Sequence, residues 1–227
     1  MCGRYAIFGP VSRASRHEIE FLGCRLAFEP RYNAAPRQAL PVLRAGAGGR
    51  ELALLVWGLV PSWAADPAIG ARLINARAET VAERPAFRSA FRRRRCLVPM
   101  SGFYEWKRAG GRRLPYFVRL AGRELFAAAG LYDYWPGGGG RQPIESYAIL
   151  TTEANERMRP IHDRMPVILP ESAYGAWLDP ENSDVASLKA LLRPYPAEET
   201  VLYPVGPRVN DVRNEGPELI EPARPDA

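Results

Sequence analysis

The chain has 227 residues, 47% of them hydrophobic, which is enough to bury a sizeable core in one or two domains. A quarter of the residues are charged, and no apolar run approaches the roughly 18 residues of a membrane span, so a helical membrane protein is excluded. The formal charge of +6 permits an anionic partner, although lysine occurs only at Lys107 and Lys189. An Arg-, Ala-, Gly- and Pro-rich composition of this kind also follows from a GC-rich coding sequence.

Short apolar runs rich in β-branched and aromatic residues dominate the chain. Tyr5–Phe8 predicts a first strand, and Ser12 is placed to cap a helix running through Ile19 to Leu22. Leu40–Leu43 and Leu52–Trp57 predict two strands around the glycine-rich tip Ala45–Gly49. Pro85–Arg94 predicts a helix with Phe87 and Phe91 at i, i+4. Further strands are expected at Cys96–Val98, Tyr116–Leu120, Leu125–Ala129 and Tyr147–Leu150. A glycine tip falls at 137–140, and a last helix is expected at Asp184–Leu192. Strands interspersed irregularly with a few helices predict an α+β fold with an antiparallel or mixed sheet. A single domain over 1–220 is expected, with 221–227 as a frayed tail.

The opening Met1-Cys-Gly-Arg-Tyr5 lacks the plan of a secretory signal, so a soluble, cytoplasmic protein is expected. Cys2, Cys24 and Cys96 are too widely spaced for a disulfide framework or a Cys-x-x-Cys site. With only His17 and His162 besides, no metal centre is expected. No glycine-rich phosphate loop is present, and no cofactor is implied.

Four places can carry chemistry. Cys2 follows the initiator methionine and is small, so removal of Met1 would expose an α-amine and a thiol on one residue. Their ordinary pKa values, about 8 and about 8.5, leave each partly nucleophilic near neutrality. Such an aminothiol can condense with an aldehyde and close to a thiazolidine, or attack an acyl group with the amine as base. Equally, Cys2 is an incidental small residue. In Leu73-Ile-Asn-Ala-Arg-Ala-Glu-Thr80, Asn75 and Arg77 alternate and share one face of an extended segment. There an amide can orient a nucleophile and a guanidinium can hold a phosphate, unless the two are simply solvated. In Gly102-Phe-Tyr-Glu-Trp-Lys107, Glu105 sits among aromatics. Buried, it would have a raised pKa and suit general acid–base work; exposed, it would pair with Lys107. His162, in Ile161-His-Asp-Arg-Met-Pro166, lies in a loop beside Asp163, which is also its structural alternative, whereas His17 reads as surface. Arg31-Tyr-Asn-Ala-Ala-Pro36 and Trp57-Gly-Leu-Val-Pro-Ser-Trp63 read as loops able to stack on unpaired bases, with Trp57 itself read as core. The run Arg92–Arg95 reads as a solvated helix end before a binding patch.

Taken in order, these segments and Arg95-Cys-Leu-Val-Pro99 resemble the signature blocks of the SRAP (SOS response-associated peptidase) family. Pro204-Val-Gly-Pro-Arg-Val-Asn210 resembles its terminal block. Met100-Ser101 departs from the family's usual small and acidic pair. The resemblance implies a curved, barrel-like sheet with flanking helices and a basic cleft for single-stranded DNA. It implies capture of abasic sites as a thiazolidine through Cys2 after Met1 is lost, in an SOS-type damage response. Carried over, Asn75 orients Cys2, Glu105 promotes sugar ring opening and proton transfer, and His162 assists imine formation. Arg4 and Arg77 hold phosphates, Pro36 and Trp63 wedge or stack, and Asn33 and Thr151 line the cleft. A monomer without small-molecule cofactor, near the nucleoid in a bacterium, is the corresponding expectation. The alternatives left open are an N-terminal-nucleophile amidohydrolase or peptidase, with autocatalytic loss of Met1, and a plain single-stranded DNA binder.

Overall fold

The computed structural model describes residues 2–8 and 18–223. Strand β1 (Tyr5–Ile7) is followed by a ribbon of β2 (Glu18–Phe21) and β3 (Cys24–Ala27), then by β4 (Arg31–Ala34). The hairpin β5 (Ala39–Gly46) and β6 (Gly49–Trp57) comes next, and then the short β7 (Asn75–Arg77). After helix α1 (Arg88–Arg93) come β8 (Arg95–Met100), β9 (Gly102–Ala109), β10 (Arg112–Leu120), β11 (Phe126–Trp135) and β12 (Ile144–Glu153). The short strands β13 (Arg164–Pro166) and β14 (Ile168–Leu169), helices α2 (Tyr174–Leu178) and α3 (Val185–Ala190), and β15 (Thr200–Pro204) complete the order. None of the helices among the described residues is long and apolar enough to cross a membrane.

Strand β12 pairs with both β6 and β11, which closes the ring β12-β6-β5-β8-β11 into a five-stranded barrel. The β6–β12 pairing is parallel and the rest of the ring is antiparallel, so the barrel is mixed, and the fold is the expected α+β. All six residues of β8 are buried, as a strand walled in on both faces requires. Beyond the barrel, β7 takes over from β6 along one edge of β12, while β13 follows β11 along the other. A second sheet, in the order β15-β10-β9-β1-β4, carries Glu105 on β9 and places β1 between two neighbours.

The glycine-rich tips join β5 to β6 and β11 to β12, as their composition predicts. Helix α1 buries Phe87 and Phe91 against the barrel, and the Asp184 carboxylate caps α3 by accepting from the Ala186 and Ser187 N–H groups. Arg95 is buried and donates to the carbonyls of Phe91, Arg92, Trp177, Asp179 and Asn182, tying α1 and α2 to the start of β8.

Two expectations are corrected. The segment expected as a helix through Ile19 to Leu22 ends as strand β2, because Glu18-Ile-Glu-Phe21 alternates in polarity and burial with period two. Ser12 and His17 lie outside the described residues. Arg31–Ala34, expected as a loop, is β4, paired with β1. The chain is also held beyond residue 220: Val205 bridges Pro222, and the Ala223 N–H donates to the Pro204 carbonyl at 2.8 Å.

Candidate active site and nucleic-acid interface

Cys2 lies just ahead of β1 and is fully buried. Its carbonyl accepts a 2.8 Å hydrogen bond from Asn75 Nδ2, so the first residue of β7 fixes the backbone of the candidate nucleophile. The other end of that amide, Asn75 Oδ1, is buried and has no hydrogen-bond partner among the described residues. Burial, and after it the negative charge of Glu105, pushes the Cys2 thiol well above its ordinary value. In this state the sulfur is a protonated thiol.

Glu105 is 2% exposed. Its position in the middle of β9, opposite Tyr116, turns an otherwise surface-loving carboxylate into the sheet. Burial raises its pKa to about 7, against the opposing positive charge of the amino terminus. The alternative of an exposed edge residue paired with Lys107 does not hold.

His162 Nε2 lies 4.0 Å from Glu105 Oε2. Burial, and next the positive amino terminus, lowers the imidazole pKa, so the ring is neutral at physiological pH. The Arg164 N–H donates to His162 Nδ1 at 3.0 Å, which assigns the ring proton to Nε2, on the side of Glu105. Asp163 Oδ1 also approaches Nδ1, at 2.9 Å. Both contacts cannot be satisfied by one tautomer of a neutral ring. The backbone N–H is fixed, whereas the Asp163 side chain is 86% exposed and free to turn into water, so the backbone contact decides.

Around this centre stand cationic and aromatic groups. Arg77 is exposed at the end of β7, opposite Thr151 of β12. Thr151 is fully buried, and both its carbonyl and its hydroxyl accept from Arg164, whose guanidinium also grips the Glu79 carboxylate through two nitrogens. Thr151 thus holds Arg164 in place. Arg164 follows His162 across a bend at Asp163, so no strand periodicity in the sequence marks it as a partner of the centre.

Arg4 is half-buried and donates from Nη1 to Asn33 Oδ1 and to the Val209 carbonyl, both at 2.8 Å. Asn33 is fully buried and spends its Nδ2 on the carbonyls of Val209, Asp211 and Asn214. The side chain expected to line the cleft is therefore a clasp that seats Arg4 and binds the C-terminal segment.

Pro36 sits half-exposed in the turn after β4, beside Arg37 in left-handed conformation at φ 75°, with the Arg37 N–H bonded to the Trp57 carbonyl. Trp57 is core, as read, and Trp63 is 61% exposed. The turn beneath Trp63 is tied down by side chains of the barrel. Asp133 accepts from the Ser62 N–H, Trp135 Nε1 donates to the Ala64 carbonyl, and the Ser146 hydroxyl accepts from the Val60 N–H. Gly58, at φ 127°, lets the loop cross Gly70 so closely that an added Cβ would stand 2.7 Å from the Gly70 carbonyl oxygen.

The fold thus gathers Cys2, Asn75, Glu105 and His162 into one centre, with Arg77, Thr151 and Arg164 along β7, β12 and β13. Arg4 adjoins this centre through its carbonyl, which accepts from Cys2 Sγ at 3.8 Å and from the Tyr104 N–H at 3.0 Å. The family model described as SOS response associated peptidase (SRAP) matches residues 1–212. The chain belongs to the SRAP family. Among SRAP relatives, "Abasic site processing protein YoqW" of Bacillus subtilis (strain 168) is 42% identical over 223 residues, covering 97% of this chain and 99% of the relative. "Abasic site processing protein HMCES" of Xenopus tropicalis is 33% identical over 85% of this chain and 66% of the relative. A crystal structure of a protein from Bacteroides thetaiotaomicron superposes with a TM-score of 0.77 at 28% identity, covering 85% of each chain. One from Bordetella bronchiseptica gives 0.75 at 27%, covering 90% of this chain and 100% of that one.

Proposed function

We propose that this protein processes abasic sites in DNA by capturing them covalently through Cys2 once Met1 has been removed. The observation that carries this reading is the juxtaposition of Cys2, pinned by Asn75, with a buried Glu105 whose pKa is about 7. The names of the SRAP relatives support the same substrate.

The abasic sugar rests mainly as a closed hemiacetal. Glu105, half protonated near neutrality, serves both directions of proton transfer: as base it takes the hydroxyl proton at C1′, and as acid it protonates the ring oxygen as the ring opens. The free Cys2 amine then attacks the C1′ aldehyde. The carbinolamine loses water, its hydroxyl leaving with a proton relayed through Glu105 and His162, to give an imine. The neutral Cys2 thiol adds to the imine carbon while its proton passes to the imine nitrogen, closing the thiazolidine. The sum is aldehyde plus aminothiol to thiazolidine plus one water, with no redox change. A thiol held protonated by burial suits this order, in which nitrogen reacts first and sulfur second.

Arg77 and Arg4 supply charge for the flanking phosphates. The exposed Trp63 and the Pro36 turn suit unpaired bases, which favours single-stranded DNA. The protein acts as a monomer in the DNA-damage response of the cytoplasm, without a cofactor.

The deciding experiment is denaturing gel electrophoresis after incubation with single-stranded DNA carrying one abasic site, with loss of Met1 checked by mass spectrometry. Wild type is expected to give a heat-stable shifted band. Cys2→Ala should give none and Glu105→Gln a slowly formed one. No band from protein with a free Cys2 amine would overturn the reading.

A further inference from the structure

The arginine run at 92–95 divides in the structure into two classes. Arg95 is buried and consumed by backbone carbonyls, and Arg94 lies 3.2 Å from Asp133 and donates to Ser89. Arg92 and Arg93 point outward with Arg88 and Ser89, and these four residues line a surface concavity of about 350 Å³. Arg84 lies exposed one turn earlier. Among the described residues none of Arg84, Arg88, Arg92 and Arg93 forms an ion pair, although Glu83 lies in the same segment. Among the described residues some surface arginines elsewhere are paired, as in Arg25–Glu20, Arg123–Glu171 and Arg141–Asp66, and others, such as Arg50 and Arg112, are not; what sets this face apart is four such arginines on one short segment. Clustered like charges without counter-charge repel one another and raise the local potential, which an external polyanion relieves.

The position of this cluster relative to the candidate site is fixed by strand register. Asn75 pairs with Ile149 of β12, and the adjacent Ala148 pairs with Leu131 of β11, which in turn pairs with Arg95 at the start of β8. Arg95 follows α1 after the single residue Arg94. The start of β8, onto which α1 leads, therefore lies three strand spacings from Asn75 along the ladder, or about 14 Å of barrel wall. The chain also runs from Arg77 to Arg88 without an intervening strand.

We propose that Arg88, Ser89, Arg92 and Arg93 form a second phosphate-binding surface, which holds the DNA backbone a few nucleotides beyond the lesion seated at Cys2. This inference rests on the protein's being a DNA-binding one, as proposed above. Guanidinium groups and one hydroxyl around an open concavity recognise phosphodiester oxygens and carry no base readout, so the surface adds affinity independent of sequence.

The test compares wild type with Arg88→Ala/Arg92→Ala/Arg93→Ala. Fluorescence anisotropy is measured on undamaged single strands of about 5 and about 20 nucleotides across a salt series. Loss of three phosphate contacts lowers the slope of log affinity against log salt by about 2 on the long strand and weakens binding about tenfold at low salt. The short strand, and covalent capture of a short abasic strand, stay unchanged. The Arg88→Lys/Arg92→Lys/Arg93→Lys variant restores most of the slope, which separates lost charge from lost fold. An unchanged slope and affinity on the long strand, in protein that melts like wild type, would overturn the inference. If instead wild type binds the long strand with this slope but forms no covalent band, the capture reading fails and the arginine surface stands.

Discussion

Asn75 Nδ2 donates to the Cys2 carbonyl at 2.8 Å, so the three-residue strand β7, paired with β12, sets where the chain's first reactive residue points. Losing one such bond frees the N-terminal residue to sample unproductive orientations. Asn75→Ala is expected to slow capture about tenfold, the effect of roughly 1–1.5 kcal/mol in a barrier. Single-turnover rates on an abasic strand check this. A rate equal to wild type would remove Asn75 from the mechanism.

Glu105 makes stability depend on pH. Its ordinary pKa is 4.5 and its value in the fold is about 7, so between these the folded state keeps a proton that the unfolded state has released. Stability therefore falls as pH rises through that window and levels off above it, by about 3 kcal/mol in all. Glu105→Gln should flatten this part of the profile and be the more stable protein at pH above about 7. Denaturant melts across pH test the sign, and a wild-type profile that is flat there would contradict the buried carboxyl.

Asn33 predicts a different kind of damage. Asn33→Ala leaves three carbonyls of the C-terminal segment and one hydrogen bond of Arg4 without their partner. A loss of about 2–4 kcal/mol is expected. Hydrogen exchange should accelerate selectively over 205–215, and undiminished protection there would show that the clasp is redundant.

Trp63→Ala should leave stability within about 0.5 kcal/mol, since the ring is exposed and its turn is held by Asp133, Trp135 and Ser146. Binding to single-stranded DNA should weaken by about 1–3 kcal/mol if the ring stacks on a base. Titration of an unlabelled strand against intrinsic tryptophan fluorescence reads both the stacking and its loss.

Much of the centre was legible before any coordinates, because its signals are local. Asn75 and Arg77 announce themselves by two-residue spacing on one strand, and Glu105 by being a carboxylate inside an aromatic strand. Asn33 was illegible as a clasp because its partners stand more than 170 residues away in sequence. Arg164 was passed over because Glu79 reaches it only through two short strands flanking β12. Nor does a run of four arginines disclose that its last member is buried against carbonyls while its second faces water. The misplaced helix before Leu22 has a simpler cause: the alternation in Glu18–Phe21 outweighs the cap signal upstream.

Strand β1 has a mechanical implication. It begins three residues after Cys2 and is hydrogen-bonded on both sides, to β4 and to β9. Anything joined covalently to Cys2 is therefore anchored to an interior strand rather than to a loose end. A motor pulling on an attached DNA strand would load the pairings on both flanks of β1 together, and peeling it out would tear open the five-stranded sheet. Under such load the protein would behave as a rigid obstacle until that sheet gave way, and a protease clearing the adduct would first have to unfold it.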